Sequence, residues 1–213
     1  TAIISAHSDR GKGLEALEIY QKMQEEGIQA NNYTFVSLFK ACGAIRDLKR
    51  GRNLHVDACK MGLELDGFIG NTLVSMYGKC GAIAEAEGVF YILPRQDIVS
   101  WNAMLSAYVE QGQAEKALRS FLQMIREAVN PDQLTYVVCA QACSILADTE
   151  EAVLEEGQSV KEVTLEIGRA LHSEARRKGF LLNEFVGSTL VSMYGKCGAL
   201  SEAEHMFNAM THH

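Results

Sequence analysis

Cysteine, histidine and a recurring set of Asp and Asn residues are the groups in this chain whose chemistry could amount to a site. His172-Ser173-Glu174 spells the H-x-E half of a zinc deaminase signature, but the P-C-x-x-C half that would complete the metal shell is missing. His55, in a matching context, is followed by Val56-Asp57, so His172 reads as a recurring residue and not as a ligand. The chain has six cysteines. Cys42, Cys80, Cys143 and Cys197 recur in matching contexts, Cys139 and Cys143 stand one helical turn apart, and no C-x-x-C occurs. These spacings suit neither zinc nor a disulfide framework, and the thiols read as small buried residues. The expectation is a chain with no metal, no cofactor and no catalysis of its own.

The elements that carry these residues are copies of one another. The string TLVSMYGKCGA runs over Thr72–Ala82 and again over Thr189–Ala199, an offset of 117 residues. Gly51-Arg52-x-Leu54-His55 returns at the same offset as Gly168-Arg169-x-Leu171-His172. Thr1–His7 matches Asn102–Tyr108 at an offset of 101, and Ala41-Cys42 matches Ala142-Cys143 at that same offset. The two offsets differ by 16 residues, which places an insertion between Cys143 and Gly168. Internal repetition of this kind dictates the architecture.

Each repeat reads as two short helices. Leu17, Ile19, Tyr20 and Met23 include the 3.6-residue stripe of a half-buried helix over Leu14–Glu26, and Ala117, Leu118, Phe121, Leu122 and Met124 repeat it. Glycines at 27, 43, 62, 81 and 112 are expected to punctuate the joints. The two prolines, Pro94 and Pro131, fall at repeat boundaries, where no helix interior is broken. The sequence predicts an all-α solenoid of stacked helix–turn–helix repeats in one continuous array spanning 1-213. Its six repeats are 1-31, 32-66, 67-97, 98-132, 133-183 (carrying an acidic insertion near 144-167) and 184-213. Each buries its apolar face only against its neighbours.

Composition narrows the function classes. No run of 18 apolar residues occurs, which excludes a membrane-spanning helix. The formal net charge is −7, and from Ser144 to Ile167 there are seven acids against one base. That stretch is expected to be a solvated loop or short exposed helix. The rest of the array is nearly neutral, so a charged surface cannot be its main binding device. The chain opens partway through a repeat and lacks an initial Met, so it is read as a piece of a longer protein.

The second residue of each repeat, Tyr33, Phe68, Val99, Leu134 and Phe185, is flat or apolar. On one face of a solenoid these side chains would form a ladder on which bases stack, a sequence-tolerant contact. The competing expectation is that they are core residues at helix starts. Lys79 and Lys196 occupy equivalent places; they would either touch phosphates or favour a helix C-terminus on dipole grounds.

Val99-Ser100-Trp101-Asn102-Ala103-Met104, Gly51-Arg52-x-Leu54-His55 and Leu73-Val74-x-Met76-Tyr77-x-Lys79-Cys80-Gly81 strongly resemble pentatricopeptide repeat proteins. The resemblance is to the plant subclass that alternates standard, long and short motifs (the PLS arrangement), here in that order twice. It covers all but the insertion. It implies a right-handed superhelix that binds single-stranded RNA in mitochondria or chloroplasts, one base per repeat. It also implies organellar RNA processing, most directly as the recognition part of a cytidine-to-uridine editing factor. Accessory editing proteins are possible partners of the long motifs, and no membrane or small-molecule substrate is implied.

The same resemblance assigns base reading to the fifth and last residues of each repeat: Thr1 with Asn31, Val36 with Asp66, Asn71 with Asp97, Asn102 with Asp132, Val137 with Asn183, and Ser188. The chemistry suits the assignment, because Asn both donates and accepts while an ionised Asp only accepts. Asn–Asp pairs are expected to favour uracil, Thr–Asn adenine, Ser188 a purine, and the Val-bearing long repeats little, giving a core of A-x-U-U-x-purine. Asp66, Asp97 and Asp132 also suit helix N-caps. The rival architecture is a protein-binding scaffold of the tetratricopeptide type, whose W-x₂-L-G-x₂-Y signature is absent.

Overall fold

The computed structural model describes residues 1–63, 66–149 and 159–211. Among these, every regular element is helical. The chain divides into two compact bodies, Thr1–Gln111 and Gly112–His213. The first holds α1 (Ala2–Asp9), α2 (Gly13–Glu25), α3 (Asn32–Ile45), α4 (Leu48–Lys60), α5 (Gly67–Lys79), α6 (Ile83–Ile92) and α7 (Ile98–Glu110). The second holds α8 (Ala114–Arg126), α9 (Gln133–Asp148), α10 (Val160–Arg177), a short 3-10 turn (Phe180–Leu182), α11 (Glu184–Lys196) and α12 (Leu200–Thr211).

In the first body the odd-numbered helices form one layer, α1 on α3, α3 on α5 and α5 on α7, and the even-numbered helices pack outside it. Sequence explains the sorting. The inner odd helices bury most of their apolar residues: α3 buries Phe35, Leu38 and Phe39, α5 buries Ile69, Leu73 and Met76, and α7 buries Trp101, Met104 and Leu105. Even helices bury a stripe and leave the opposite face in water, as α4 does with only Gly51, Leu54 and Ala58 inside. Phe90 meets Trp101 edge-on with ring centroids 4.7 Å apart, fastening α6 to α7. In the second body α9 packs on α8, α10 and α11, and Tyr136 sits between Phe121 at 6.3 Å and Phe180 at 5.8 Å.

Glycine divides between two jobs. Gly81 has φ +75° and ends the α5–α6 turn in a left-handed conformation that other residues rarely adopt. Gly43, expected at a joint, lies inside α3, and a Cβ there would approach the Met76 backbone at 3.3 Å. The joint is made instead by Arg46, at φ 54°. Gly78 is tighter still, since a Cβ would come within 2.4 Å of the Ala107 Cβ, so α5 and α7 touch through their backbones.

The acidic insertion is more helical than expected. α9 runs 16 residues against 14 for α3, and α10 begins eight residues before Gly168, where α4 begins three before Gly51. Ser159 and Glu162 form a reciprocal capping box that starts α10. Thr164 is buried, and Leu165 and Ile167 pack against the core of this body. Only Glu150, Glu151, Glu155 and Glu156 of its acids lie outside the described residues. Residues 150–158 hold four glutamates and no base, the composition of a solvated stretch, and deleting them is expected to leave the melting temperature nearly unchanged. A deletion reaching Ile167 removes buried apolar groups worth about 2 kcal/mol or more. Thermal melts of the two deletions check this, and equal melting would show that α10's extension packs for nothing.

Candidate nucleic-acid interface

The residue before each of α3, α5, α7, α9 and α11 is Asn or Asp, and its side chain caps the helix. Asp66 Oδ1 accepts the Phe68 and Ile69 amides at 2.9 and 3.0 Å, and Asp97 Oδ1 accepts those of Val99 and Ser100 at 3.0 and 2.9 Å. Asn31 and Asp132 form capping boxes with Thr34 and Thr135. Asn183 Oδ1 takes the amides of Phe185 and Val186 at 2.9 and 3.3 Å. Two hydrogen bonds hold each cap side chain in place, both from backbone amides at Asp66, Asp97 and Asn183 and one from an amide and one from a Thr hydroxyl at Asn31 and Asp132, so what remains of its polar group is presented in a fixed direction.

Directly after the caps come Tyr33, Phe68, Val99, Leu134 and Phe185, the second residues of their helices. All are at least half exposed, from 50% for Leu134 to 76% for Phe185. None is a core residue. Tyr33 and Phe68 stand 6.5 Å apart, edge to face, on neighbouring helices of the first body. Exposed apolar groups gathered on one surface mark interaction sites.

The fifth residues split. In the first body Asn71 Nδ2 donates to Asp97 Oδ1 at 3.2 Å, and Thr1 Oγ1 donates to Asn31 Oδ1 at 3.4 Å. These are two of the pairs expected from sequence. Val36, in contrast, is 4% exposed and sunk in the core, and Val137 leans on the core of the second body. Asn102 is 5% exposed at the edge of the first body, and Asp132 caps α9 in the second. Ser188 Oγ donates to the Phe185 carbonyl at 3.3 Å on an exposed turn of α11.

Sequence reasoning missed two residues. Asn32 Nδ2 donates to Asp66 Oδ2 at 3.0 Å, and Asn183 Nδ2 donates to Gln133 Oε1 at 3.0 Å. Both are first residues of helices whose fifth residue is Val. The signal was present: the other first residues are Gly67, Ile98 and Glu184, so the side-chain amide has moved up one turn where the fifth position is apolar.

The two lysines differ as well. Lys79 ends α5, with its stem against α3 at Gly43. Lys196 pairs with Asp148, the last residue of the lengthened α9.

The histidines and arginines of the repeated strings form a second, polar constellation. His55 Nδ1 and the Tyr77 hydroxyl are 2.8 Å apart, and Arg52 pairs with Glu85. The same clasp recurs as His172 with Tyr194, also at 2.8 Å, and Arg169 with Glu202. Burial pushes the Tyr77 hydroxyl up to about 12, and the Arg169 guanidinium draws Glu202 down to about 2. Burial, then the charges of Arg176 and His205, hold His172 below the usual imidazole range. His172 is thereby a neutral hydrogen-bonding residue that ties α10 to α11, which accounts for the H-x-E string.

Burial also pushes the thiols of Cys42 and Cys143 up to about 12 and that of Cys139 well above its ordinary value. Thiols so disposed are poor nucleophiles. Among the described residues no group of three or more His, Cys, Asp or Glu side chains is arranged to hold a metal ion, and no helix is long and apolar enough to cross a membrane.

Paired helices stacked in two layers, with caps and exposed second residues recurring in register, define a helical-hairpin repeat protein. Family models agree: one described as the PPR repeat family matches residues 1–44 and 96–144, and one described as the PPR repeat matches 71–98 and 188–213. The chain belongs to the pentatricopeptide repeat family. A chloroplastic pentatricopeptide repeat-containing protein of Arabidopsis thaliana is 40% identical over 99% of this chain, and a mitochondrial one from the same plant is 32% identical over 95%. The chain spans 31% and 21% of those relatives' lengths. Among solved structures, the pentatricopeptide repeat protein PPR10, crystallised in complex with an 18-nt psaJ RNA element, aligns over 98% of this chain and 42% of its own. The TM-score is 0.60 at 19% identity, which establishes the shared α-solenoid fold.

Proposed function

We propose that this chain binds single-stranded RNA and reads its bases with the caps and their partners. The observation that carries the reading is the Asn71–Asp97 pair, hydrogen-bonded at 3.2 Å and flanked by the exposed side chains of Phe68 and Val99. Bases stack on the apolar rungs, and the rigid polar pair tests the edge of the base held there. The carboxylate accepts the ring N–H of uracil, and the Asn amide serves a carbonyl oxygen. Cytosine offers a ring lone pair to the same carboxylate and is rejected.

The bound RNA of PPR10 and the chloroplastic and mitochondrial names of the relatives support placing this function in organellar RNA processing. The alternation of longer and shorter repeats fits the PLS subclass, and within it the recognition part of a cytidine-to-uridine editing factor. Accessory editing proteins would then meet the long repeats.

Asp97→Asn tests the reading without disturbing the fold, because Asn caps a helix as well as Asp. Wild type is expected to prefer uracil over cytosine at the third base of the bound core. The variant should reverse that order, by roughly 1–3 kcal/mol in total. Binding titrations with two oligonucleotides differing at that base provide the check, and identical ranking by both proteins would refute the assignment.

A further inference from the structure

We propose that in the two long repeats the first residue of the odd-numbered helix, Asn32 in α3 and Gln133 in α9, replaces the fifth as the base-reading partner of the following cap. The inference rests on the RNA-binding function above and extends it to the repeats that Val36 and Val137 would leave blind.

A pair that reads a base edge needs two polar groups, held together and reachable from solvent. Val36 is apolar and supplies no polar group to such a pair. Asn32 meets both: its side chain reaches across 34 positions of sequence to Asp66 Oδ2 at 3.0 Å. Asp66 Oδ1 is meanwhile occupied by the two capping amides, so the carboxylate cannot rotate away. The result is an amide bonded to a carboxylate, the same groups as in Asn71–Asp97. The tyrosine next in sequence, Tyr33, is 68% exposed and stands beside Phe68 on the neighbouring helix, so a stacking surface accompanies the pair.

The second long repeat uses the same positions with the opposite polarity. Asn183 Oδ1 accepts two capping amides, which fixes the orientation of its side-chain amide and turns Nδ2 outward. Nδ2 donates to Gln133 Oε1 at 3.0 Å. Gln133 then has its own NH₂ left to offer, and Leu134 beside it is 50% exposed.

The two pairs are therefore distinct readers. Asn32–Asp66 presents a carboxylate acceptor with an amide and favours a base whose ring nitrogen carries a proton, uracil or guanine. Gln133–Asn183 presents donors and favours a base whose ring nitrogen is a bare acceptor, cytosine or adenine.

The test compares RNAs that differ only at the second, third or fifth base of the core, each carrying uracil or cytosine there, with competition binding as the readout. Wild type is expected to prefer uracil at the second base and cytosine at the fifth, each by roughly fivefold or more. Asn32→Ala should bring the second-base ratio close to one and leave the third-base ratio untouched, and Asn32→Gln should restore part of the second-base preference. Gln133→Ala should flatten the fifth base alone. A wild type that discriminates at the third base but not at the second and fifth would overturn the inference and leave the general function standing. So would an Asn32→Ala variant with an unchanged second-base ratio. A wild type indifferent at every position, the third included, would remove the base-reading function itself and this inference with it.

Discussion

Trp101→Ala is expected to lower the stability of the first body by about 3–5 kcal/mol. Trp101 is 1% exposed, lies edge-on to Phe90 at 4.7 Å and belongs to the innermost layer of helices. Removing the ring leaves a cavity that α5, α6 and α7 cannot fill, because α5 and α7 already touch at Gly78 and Ala107. The indole Nε1 is buried without a hydrogen-bond partner. Trp101→Phe keeps most of the packing and discards that unsatisfied donor, so it should cost much less than the alanine change. Denaturant unfolding of the two variants measures the difference, and equal losses would mean that a phenyl ring recovers none of the packing there.

Phe68→Ala is expected to act in the opposite way, weakening RNA binding by about 1–3 kcal/mol with almost no change in melting temperature. Its ring is 57% exposed and has one aromatic neighbour, Tyr33, at 6.5 Å, so the fold loses little. Stacking is indifferent to base identity, so matched and mismatched RNAs should weaken by the same factor. That uniformity separates the rung from the readers, whose substitutions change rank order. A variant that melts early, or that weakens one sequence alone, would put Phe68 in the core or among the readers.

Residue type and spacing made the helices legible, because each apolar stripe and each Asp or Asn before a helix is a local signal. The capping role expected of Asp66, Asp97 and Asp132 is realised, with Asn31 and Asn183 joining them. Gly43 misled because a helix that must approach another backbone uses the same residue as a turn. The charge around Ser159 and Glu162 pointed to a solvated loop or short exposed helix; the part after Ser159 is helix, as one alternative had it, but it is packed and not exposed, with Thr164 buried. Asn32 and Gln133 escaped notice because their partners lie 34 and 50 residues away, a juxtaposition that only helix stacking creates.

The two clasps bear on how such a chain could have lengthened. Each consists of an Arg and a His on one helix pair and a Glu and a Tyr on the next, with partners 33 and 22 residues apart. A genetic duplication whose breakpoints fell inside that interval would strand a histidine or a glutamate in each daughter copy. One whose breakpoints fell outside would carry every lock together with its key. The smallest stretch that keeps a lock with its key is then two successive helical hairpins, α3 to α6 for the first clasp, and not one hairpin alone.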